Sequence, residues 1–238
     1  MALLDIAGLD YAYGETQVLW NLDLAVSAGQ MVALVGANGA GKTTLIRLIS
    51  GLASPVAGRM RFLDADLAGV GPEARVRRGI AQVPEGRRLF AALSVAENLM
   101  LGAYSRTDAE RVASDFKTVL GYFPELEMLL RQEAGTLSGG QQQMTAIGRA
   151  IMSAPKLLMI DEMSLGLAPM VVERLAEVLL DLNRKDHLAI LLVEQDVELA
   201  LELASHGYVM ESGRVVMHGP AKELIESADL KSAYMGIA

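Results

Sequence analysis

Residues 36–44 constrain this chain more than any other segment. They fit the pattern Gly-x-x-x-x-Gly-Lys-Ser/Thr and read Gly36-Ala37-Asn38-Gly39-Ala40-Gly41-Lys42-Thr43-Thr44. The apolar run at 31–35 predicts a buried strand before them, and residues 42–52 continue as a helical pattern. The main-chain N–H groups of such a turn, with the positive end of the following helix, bind phosphate. We therefore interpret residues 36–44 as a phosphate loop, with Lys42 directed at the β- and γ-phosphates and Thr43 at Mg²⁺. The alternative is a glycine-rich strand-to-helix turn without a ligand.

Composition excludes several classes of function. The net charge of −8 and the isoelectric point near 5.0 argue against a nucleic-acid-binding surface. Cysteine is absent, so disulfide and thiolate chemistry are excluded, which is consistent with a cytoplasmic location. No apolar run approaches the roughly 18 residues that cross a bilayer, and the N-terminus has no basic-then-apolar leader. We expect any membrane association to be made through a partner.

The order of patterns along the chain predicts an α/β fold with an antiparallel layer and a helical insertion. Alternation predicts two antiparallel strands at 3–13 and 18–26, and residues 95–128 carry a helical pattern with no strong strand. The other predicted elements are strands at 58–63, 80–83, 156–161 and 189–193, helices at 72–78, 139–154, 169–184 and 197–204, a hairpin at 208–218, and two short helices over 220–234, with Pro220 at the first helical position.

Three polar segments carry candidate chemistry. The strand at 156–161 ends in Asp161 and Glu162, and ligands of open α/β sheets bind outside the carboxyl ends of the strands. A second anion-binding arrangement is the Ser-Gly-Gly that opens the helix after residue 137. Tyr13 lies one residue before a glycine turn and could stack on a base, with Tyr11 as the competing choice.

Taken together, the phosphate loop, residues Leu137-Ser138-Gly139-Gly140-Gln141 (the signature segment) and the strand ending in Asp161-Glu162 resemble the nucleotide-binding subunit of ATP-binding-cassette (ABC) transporters. A closer resemblance is to the ATPase subunit of branched-chain amino-acid importers. It is carried by the phosphate loop and by Val83-Pro84-Glu85-Gly86-Arg87-Arg88, Ala146-Ile147-Gly148-Arg149-Ala150-Ile151-Met152, Ser164-Leu165-Gly166-Leu167-Ala168-Pro169 and Leu192-Val193-Glu194-Gln195. It covers the chain nearly end to end.

The resemblance implies one nucleotide-binding domain over residues 1–238. Its P-loop NTPase core and N-terminal antiparallel β layer would comprise residues 1–84 and 154–238. The helical insertion would span about 85–153 and end in the helix that follows the signature segment.

The resemblance also implies roles for individual residues toward ATP and Mg²⁺. Tyr13 would stack on adenine, residues 36–44 would hold the phosphates, Asp161 would order Mg²⁺ beside Thr43, and Glu162 would polarise the attacking water. The signature segment, through Ser138, Gly139, Gly140 and Gln141, would close over the ATP of a second ATP-binding subunit. Hydrolysis would then need a homodimer or a heterodimer.

The chain departs from the broad family pattern at four positions. Glu85 stands where most members have a Gln that contacts Mg²⁺ and the water, and Gln195 stands where most have a His that contacts the γ-phosphate. We expect Glu85 to act through metal or water. Gln195 can donate a hydrogen bond but cannot accept a proton, which excludes a proton shuttle through it. Met163 replaces a Pro and Ala168 replaces an Asp.

The function implied is ATP hydrolysis that drives uptake of branched-chain amino acids through a separate membrane permease, on the inner face of the cell membrane. A short permease helix would bind at residues 85–90 and the helical insertion, and an external solute-binding protein would be an indirect partner. The alternatives are an ABC ATPase for urea or amides, a soluble ABC ATPase acting on ribosomes or DNA, and a nucleotide switch without turnover. The five arginines of a local basic cluster form either a solvated face or a permease contact: Arg75, Arg77, Arg78, Arg87 and Arg88.

Overall fold

The computed structural model describes residues 2–232, which form two stacked sheets and surrounding helices. The strands are β1 (Ala2–Tyr13), β2 (Thr16–Ser27), β3 (Met31–Val35), β4 (Ala57–Phe62), β5 (Ala65–Asp66), β6 (Ile80–Val83), β7 (Leu157–Asp161), β8 (Ala189–Glu194), β9 (His206–Glu211) and β10 (Arg214–Pro220). The α-helices are α1 (Lys42–Ile49), α2 (Pro72–Arg78), α3 (Val95–Leu101), α4 (Ala109–Tyr122), α5 (Gly139–Ile151), α6 (Pro169–Lys185), α7 (Val197–Leu203), α8 (Ala221–Glu226) and α9 (Ala228–Leu230).

The two sheets differ in strand direction. An antiparallel sheet has the order β2-β1-β4-β5, and a mixed sheet has the order β10-β9-β3-β8-β7-β6. In the mixed sheet β9, β3, β8, β7 and β6 run parallel, and only β10 is antiparallel to its neighbour. The predicted α/β fold with an N-terminal antiparallel β layer is therefore confirmed.

The central strands are apolar without interruption because both faces of the mixed sheet are covered. Every residue of β3 is buried, and successive residues face different cores. Met31, Ala33 and Val35 pack in the core that contains α5 and α6. Val32 and Leu34 pack in the core between the two sheets, where the buried side chains of α1 also lie. Such two-sided burial is typical of parallel strands.

The helical region between β6 and β7 consists of separate short elements. α3 and α4 are followed by two 3₁₀ turns, Pro124–Leu129 and Ala134–Thr136, and then by α5. Leu99 of α3 packs closely on Gly148 of α5, where a Cβ would lie 2.8 Å from the leucine Cδ2. Small side chains on α5 therefore permit this packing. No helix within residues 2–232 is long and apolar enough to cross a membrane.

The C-terminal expectations concern the position of Pro220 and the end of the final predicted helix. Pro220 is the residue before α8 and ends β10, so its placement at the first helical position was wrong by one residue. Its fixed φ suits the entry to a helix at either position. The predicted final helix extended to residue 234, which lies outside the described residues.

Arg75 is part of the interior, so the expectation that the five arginines share one exposed face was wrong. Its side chain is 4% exposed, and its guanidinium donates hydrogen bonds to the carbonyl oxygens of Leu48, Ile49, Leu67 and Val70. Two of these carbonyls lie at the end of α1, where helical carbonyls lack partners within the helix. Arg75 therefore connects the helix after the phosphate loop to the segment before α2.

We predict that Arg75→Met destabilises the chain by about 2–4 kcal/mol, because four carbonyl oxygens each lose a hydrogen bond from the guanidinium, three of these bonds being buried. Arg77→Met is the matched control, since the one polar contact of the Arg77 side chain within residues 2–232 is an exposed i,i+4 ion pair with Glu73, which should contribute less than about 0.5 kcal/mol. Urea denaturation of both variants measures the difference. Equal stability of the two variants would contradict the structural role of Arg75.

Candidate active site

The phosphate loop joins the carboxyl end of β3 to α1, and its glycines are needed there. A Cβ on Gly36 would lie 2.2 Å from the carbonyl oxygen of Met210, and Gly41 has a φ of 105° with a Cβ position 2.7 Å from the Leu19 Cδ2. Any larger residue at these positions would clash, and Gly41 adopts a backbone conformation that L-residues rarely adopt. Gly213 N–H also donates to the Ala40 carbonyl oxygen (2.9 Å), which ties the β9–β10 hairpin to the loop.

The amino end of α1 is open to an anion. Gly41, the residue before α1, provides no side-chain cap, so the first-turn N–H groups have no side-chain acceptor there. Lys42 is buried, and its ammonium donates to the carbonyl oxygens of Gly36 and Ala37 of the same loop. Burial lowers the pKa of Lys42, and the carboxylates of Glu162, Asp161 and Glu194 oppose that shift. The loop thus combines free N–H donors with a positive charge.

A cavity of about 610 Å³ lies over the phosphate loop. Its walls bring together three of the predicted site residues from distant parts of the sequence, namely Glu85, Glu162 and Gln195. The complete lining is Val18, Asn38, Gly39, Ala40, Gly41, Lys42, Thr43, Thr44, Glu85, Glu162, Leu165 and Gln195.

Asp161 lies at the carboxyl end of β7 and has an incomplete environment. Its Oδ1 atom is buried and has no hydrogen-bond partner among residues 2–232. Burial, and then the negative charges of Glu162 and Glu85, raise the pKa of Asp161 to about 6, while the Thr43 hydroxyl and Lys42 oppose the shift. A divalent cation would give the unpaired Oδ1 atom a partner and would offset the repulsion between the carboxylates.

The oxygen ligands near Asp161 fit Mg²⁺, which prefers carboxylate, hydroxyl and water oxygens. Among residues 2–232, no three acidic, His or Cys side chains are grouped closely enough to hold a metal ion by themselves. An ion at Asp161 would therefore also need the Thr43 hydroxyl, water or phosphate oxygens.

Glu162 is held in an unusual conformation directly after β7. Its φ is +54°, and its N–H donates to the Val193 carbonyl oxygen at 2.8 Å. The Gln195 side-chain amide donates to Glu162 Oε1 at 2.6 Å. Left-handed backbone at a residue other than glycine costs energy and is found where function or packing requires it. The first contact fixes the backbone of Glu162, and the second holds its carboxylate at the edge of the cavity.

Glu194 is a site residue that the sequence reasoning missed. Its carboxylate is fully buried at the end of β8 and accepts hydrogen bonds from the Ser164 N–H (3.0 Å) and hydroxyl (2.9 Å). Burial raises its pKa, and the Ser164 hydrogen bonds oppose the shift. The sequence feature that could have indicated this residue is a carboxylate at the end of an otherwise apolar strand. Met163, the residue before Ser164, is completely buried in the core, so it has a packing role.

The remaining predicted binding residues line no part of this cavity. Ser138 precedes α5 and caps it, since its hydroxyl accepts from Gln141 N–H (3.3 Å) while Gln141 Oε1 accepts from Ser138 N–H (2.9 Å). Gly139 and Gly140 form the first residues of that helix. Tyr13 ends β1, is 43% exposed, and contacts Tyr11 edge-to-face at 4.8 Å between ring centroids.

The family profile, the similar sequences and the similar solved structure all belong to ATP-binding proteins of ABC transporters. The ABC transporter family profile matches residues 19–164. The chain is 43% identical over 224 residues to the high-affinity branched-chain amino acid transport ATP-binding protein BraG of Pseudomonas aeruginosa, covering 94% of this chain and 95% of that protein. It is 28% identical over 251 residues to the similarly named BraF of the same organism, covering 99% and 98%. The solved ADP conformation of an ATP-binding cassette of an ABC transporter superposes with a TM-score of 0.86 at 26% identity, covering all of both chains.

We predict that Asp161→Asn changes how stability depends on pH in the nucleotide-free chain. The folded-state pKa of about 6 exceeds the ordinary value of 3.8, so the folded chain binds more protons than the unfolded chain between pH 4 and 6. The free energy of unfolding therefore falls as pH rises through this window, by roughly 1–3 kcal/mol, and Asn removes this contribution.

The measurement is urea denaturation of both chains from pH 4 to 7, with exposed Asp64→Asn as the control. Asp161→Asn should gain stability over the parent chain toward pH 7, and the control should not. Parallel curves for the parent and Asp161→Asn would contradict the assignment.

Proposed function

This chain belongs to the ABC transporter family and hydrolyses ATP, and we propose that it is the ATP-binding subunit of an importer that takes up branched-chain amino acids through a separate membrane permease. The observation that supports branched-chain amino acids as the transported solute is the 43% identity to BraG over nearly the whole of both chains. We also propose that residues 1–238 form one nucleotide-binding domain, with residues 85–153 as its helical insertion.

We propose that the cavity over the phosphate loop holds the triphosphate of ATP. The open amino end of α1 and the N–H groups of residues 36–44 would bind phosphate oxygens, and Lys42 would exchange its bonds to loop carbonyls for the β- and γ-phosphates. Thr43, Asp161 and Glu85 are the proposed residues that hold Mg²⁺, directly or through water. When bound, the ion would supply positive charge at the phosphate oxygens. Tyr13, with its exposed ring, is the proposed stacking partner of adenine.

Hydrolysis needs a water molecule positioned next to the γ-phosphate. We propose that Glu162 accepts the proton of this water as a general base, because its carboxylate lines the cavity and its position is fixed by Gln195 and by the backbone. Gln195 would orient the carboxylate through the amide N–H that it donates. An amide cannot accept the proton in turn, so Glu162 has to act alone as the base.

A second ATP-binding subunit completes the proposed site. The signature segment caps its own helix and lies outside the cavity of its own chain, so it is free to contact the nucleotide of another cassette. Pseudomonas aeruginosa has two proteins, BraG and BraF, with the same transport name, and the chain resembles BraG more than BraF. The geometry fits a homodimer as well as a heterodimer with a related subunit, and pairing of identical chains is the arrangement tested below.

An apolar patch on the helical region is the proposed contact with the permease. It consists of Met100, Leu101 and Tyr104, which line one shallow pocket with Leu93 and are exposed by 47%, 37% and 85%. Grouped apolar side chains on a surface indicate a protein contact. We propose that the chain binds the cytoplasmic face of the membrane through this patch, with an external solute-binding protein as an indirect partner.

We predict that Glu162→Gln lowers hydrolysis by roughly 10²-fold or more while ATP binding is retained, because the amide keeps the size of the side chain but cannot accept a proton. The variant should accumulate as an ATP-bound dimer, detected by sedimentation velocity with and without ATP. Glu198→Gln, an exposed carboxylate in the first turn of α7, is the control and should hydrolyse ATP normally. Hydrolysis by Glu162→Gln at the parental rate would remove Glu162 from the base role.

We predict that Met100→Asp combined with Tyr104→Asp abolishes co-purification with the permease and uptake into reconstituted vesicles. A charged patch cannot bind an apolar permease helix without burying unpaired carboxylates. Glu125→Asp, on an exposed 3₁₀ turn of the same region, is the control.

The same vesicles test the cargo. With the parent chain, ATP-dependent uptake of leucine is expected, and urea uptake serves as the comparison. Vesicles that take up urea and not leucine would overturn the proposed cargo. Unimpaired co-purification of the double variant would overturn the proposed contact.

A further inference from the structure

Arg87 makes side-chain contacts with two segments outside its own loop. Its Nε–H donates to the Gln143 Oε1 (3.3 Å), and its Nη1 donates to the Gln142 Oε1 (3.5 Å), both on α5. Its Nη2 donates to the carbonyl oxygen of Leu165 (3.5 Å), in the loop after Glu162. One planar guanidinium therefore reaches three acceptors on two elements.

A side chain of α5 in turn donates hydrogen bonds to the backbone of the loop that contains Arg87. Arg149 of α5 donates to the carbonyl oxygens of Arg88 (2.9 Å) and Arg87 (3.0 Å). Arg87 and Arg88 have φ values of 65° and 47°, two consecutive left-handed residues other than glycine. Such a conformation persists only where its surroundings fix it. Arg87 and Arg149 thus form reciprocal contacts that fix this loop on α5.

The position of the guanidinium relates these contacts to the signature segment. A Cβ on Gly139 would lie 3.3 Å from the Arg87 Nη2, so the guanidinium lies against the first residue of α5. Gly139 follows Ser138 directly, and Glu85, which lines the cavity, lies two residues before Arg87. Leu165 itself also lines the cavity.

We propose that Arg87 is a positioning residue that holds the first turn of α5 and the loop at 164–168 in one arrangement with the loop of Glu85. This arrangement presents Ser138 and the signature segment to the ATP of a second cassette. The inference rests on the proposed function, because it takes residues 138–141 to close over the nucleotide of another subunit. Lysine cannot replace Arg87 here, since a single ammonium lacks the planar set of donors that reaches all three acceptors.

Two different measurements separate this role from a general loss of structure. Arg87 does not line the phosphate-loop cavity, so binding of ATP to a single chain should not depend on it. Pairing of two ATP-bound chains should depend on it, because pairing requires the signature segment in the correct position. A merely structural role would lower both.

The experiment uses Glu162→Gln as the parent, because this variant is expected to accumulate as the ATP-bound pair. Arg87→Lys and Arg88→Lys are compared in this parent, and Arg88 is the matched control because its exposed side chain makes no hydrogen bond or ion pair within residues 2–232. Titration with a fluorescent ATP analogue measures binding by single chains, and sedimentation equilibrium with ATP measures pairing. We expect Arg87→Lys to weaken pairing about tenfold or more with ATP affinity unchanged within about twofold, and Arg88→Lys to match the parent.

A second variant keeps the inference testable if Arg87→Lys lowers thermal stability. Gln143→Leu removes an acceptor of Arg87 from the other side of the contact. It should weaken pairing as well, and the combination with Arg87→Lys should weaken it no further than the stronger single change. Fully additive losses would contradict a shared contact.

The outcomes for the inference and for the proposed function are distinct. Equal pairing by Arg87→Lys and Arg88→Lys overturns the role of Arg87 and leaves the ATPase assignment untouched. A loss of ATP affinity equal to the loss of pairing also overturns it, in favour of general disruption. Failure of the Glu162→Gln parent itself to pair with ATP would instead contradict the proposed dimer.

Discussion

The parallel pairing of β3, β8 and β7 is the constraint on which the rest of the structure depends. Val35 lies opposite Glu194, and Val193 lies opposite Asp161, so the three strands end at the same edge of the sheet. The ends of the strands bring three groups to one place: the phosphate loop after β3, Asp161 at the end of β7 with Glu162 after it, and Gln195 after β8. Because the strands pack on both faces, a one-residue shift in register would exchange side chains between the two cores and move every site residue at once. The core therefore determines the geometry of the site.

Charge at that edge is unbalanced in the nucleotide-free chain. Asp161, Glu162, Glu85 and Glu194 contribute carboxyl groups, while Lys42 is the cation that the same cavity buries. Lys42 already donates to loop carbonyls, and Asp161 Oδ1 has no hydrogen-bond partner in the described part of the chain. Triphosphate alone would add further negative charge to this group. A cation bound together with a nucleotide would give this oxygen a partner and would reduce the repulsion among the carboxylates.

Local pattern was sufficient for the fold and for the residues that lie directly on motifs. The phosphate loop, the strand ending in Asp161 and the antiparallel layer follow from apolar runs and glycine spacing, which depend on neighbouring residues only. Contacts between distant segments could not be predicted in this way. Arg75 looked like a surface arginine because its four carbonyl partners belong to other elements. The contacts of Glu194 and Arg87 could not be predicted for the same reason, since their partners lie 30 and about 55 to 78 positions away in the sequence.

The loop at 163–168 contains two departures from the family pattern, Met163 and Ala168, and is nevertheless fixed in position. Ala168 occupies the residue before α6, where an acidic side chain would accept from helical N–H groups, and it provides no side-chain cap. The loop is fixed instead at its other residues. Glu194 accepts both polar hydrogens of Ser164, Met163 fills the core, and Arg87 donates to the Leu165 carbonyl oxygen. The position of this loop is therefore determined by its contacts with β8 and with the loop of Glu85. A movement of either segment would therefore also move residues 163–168.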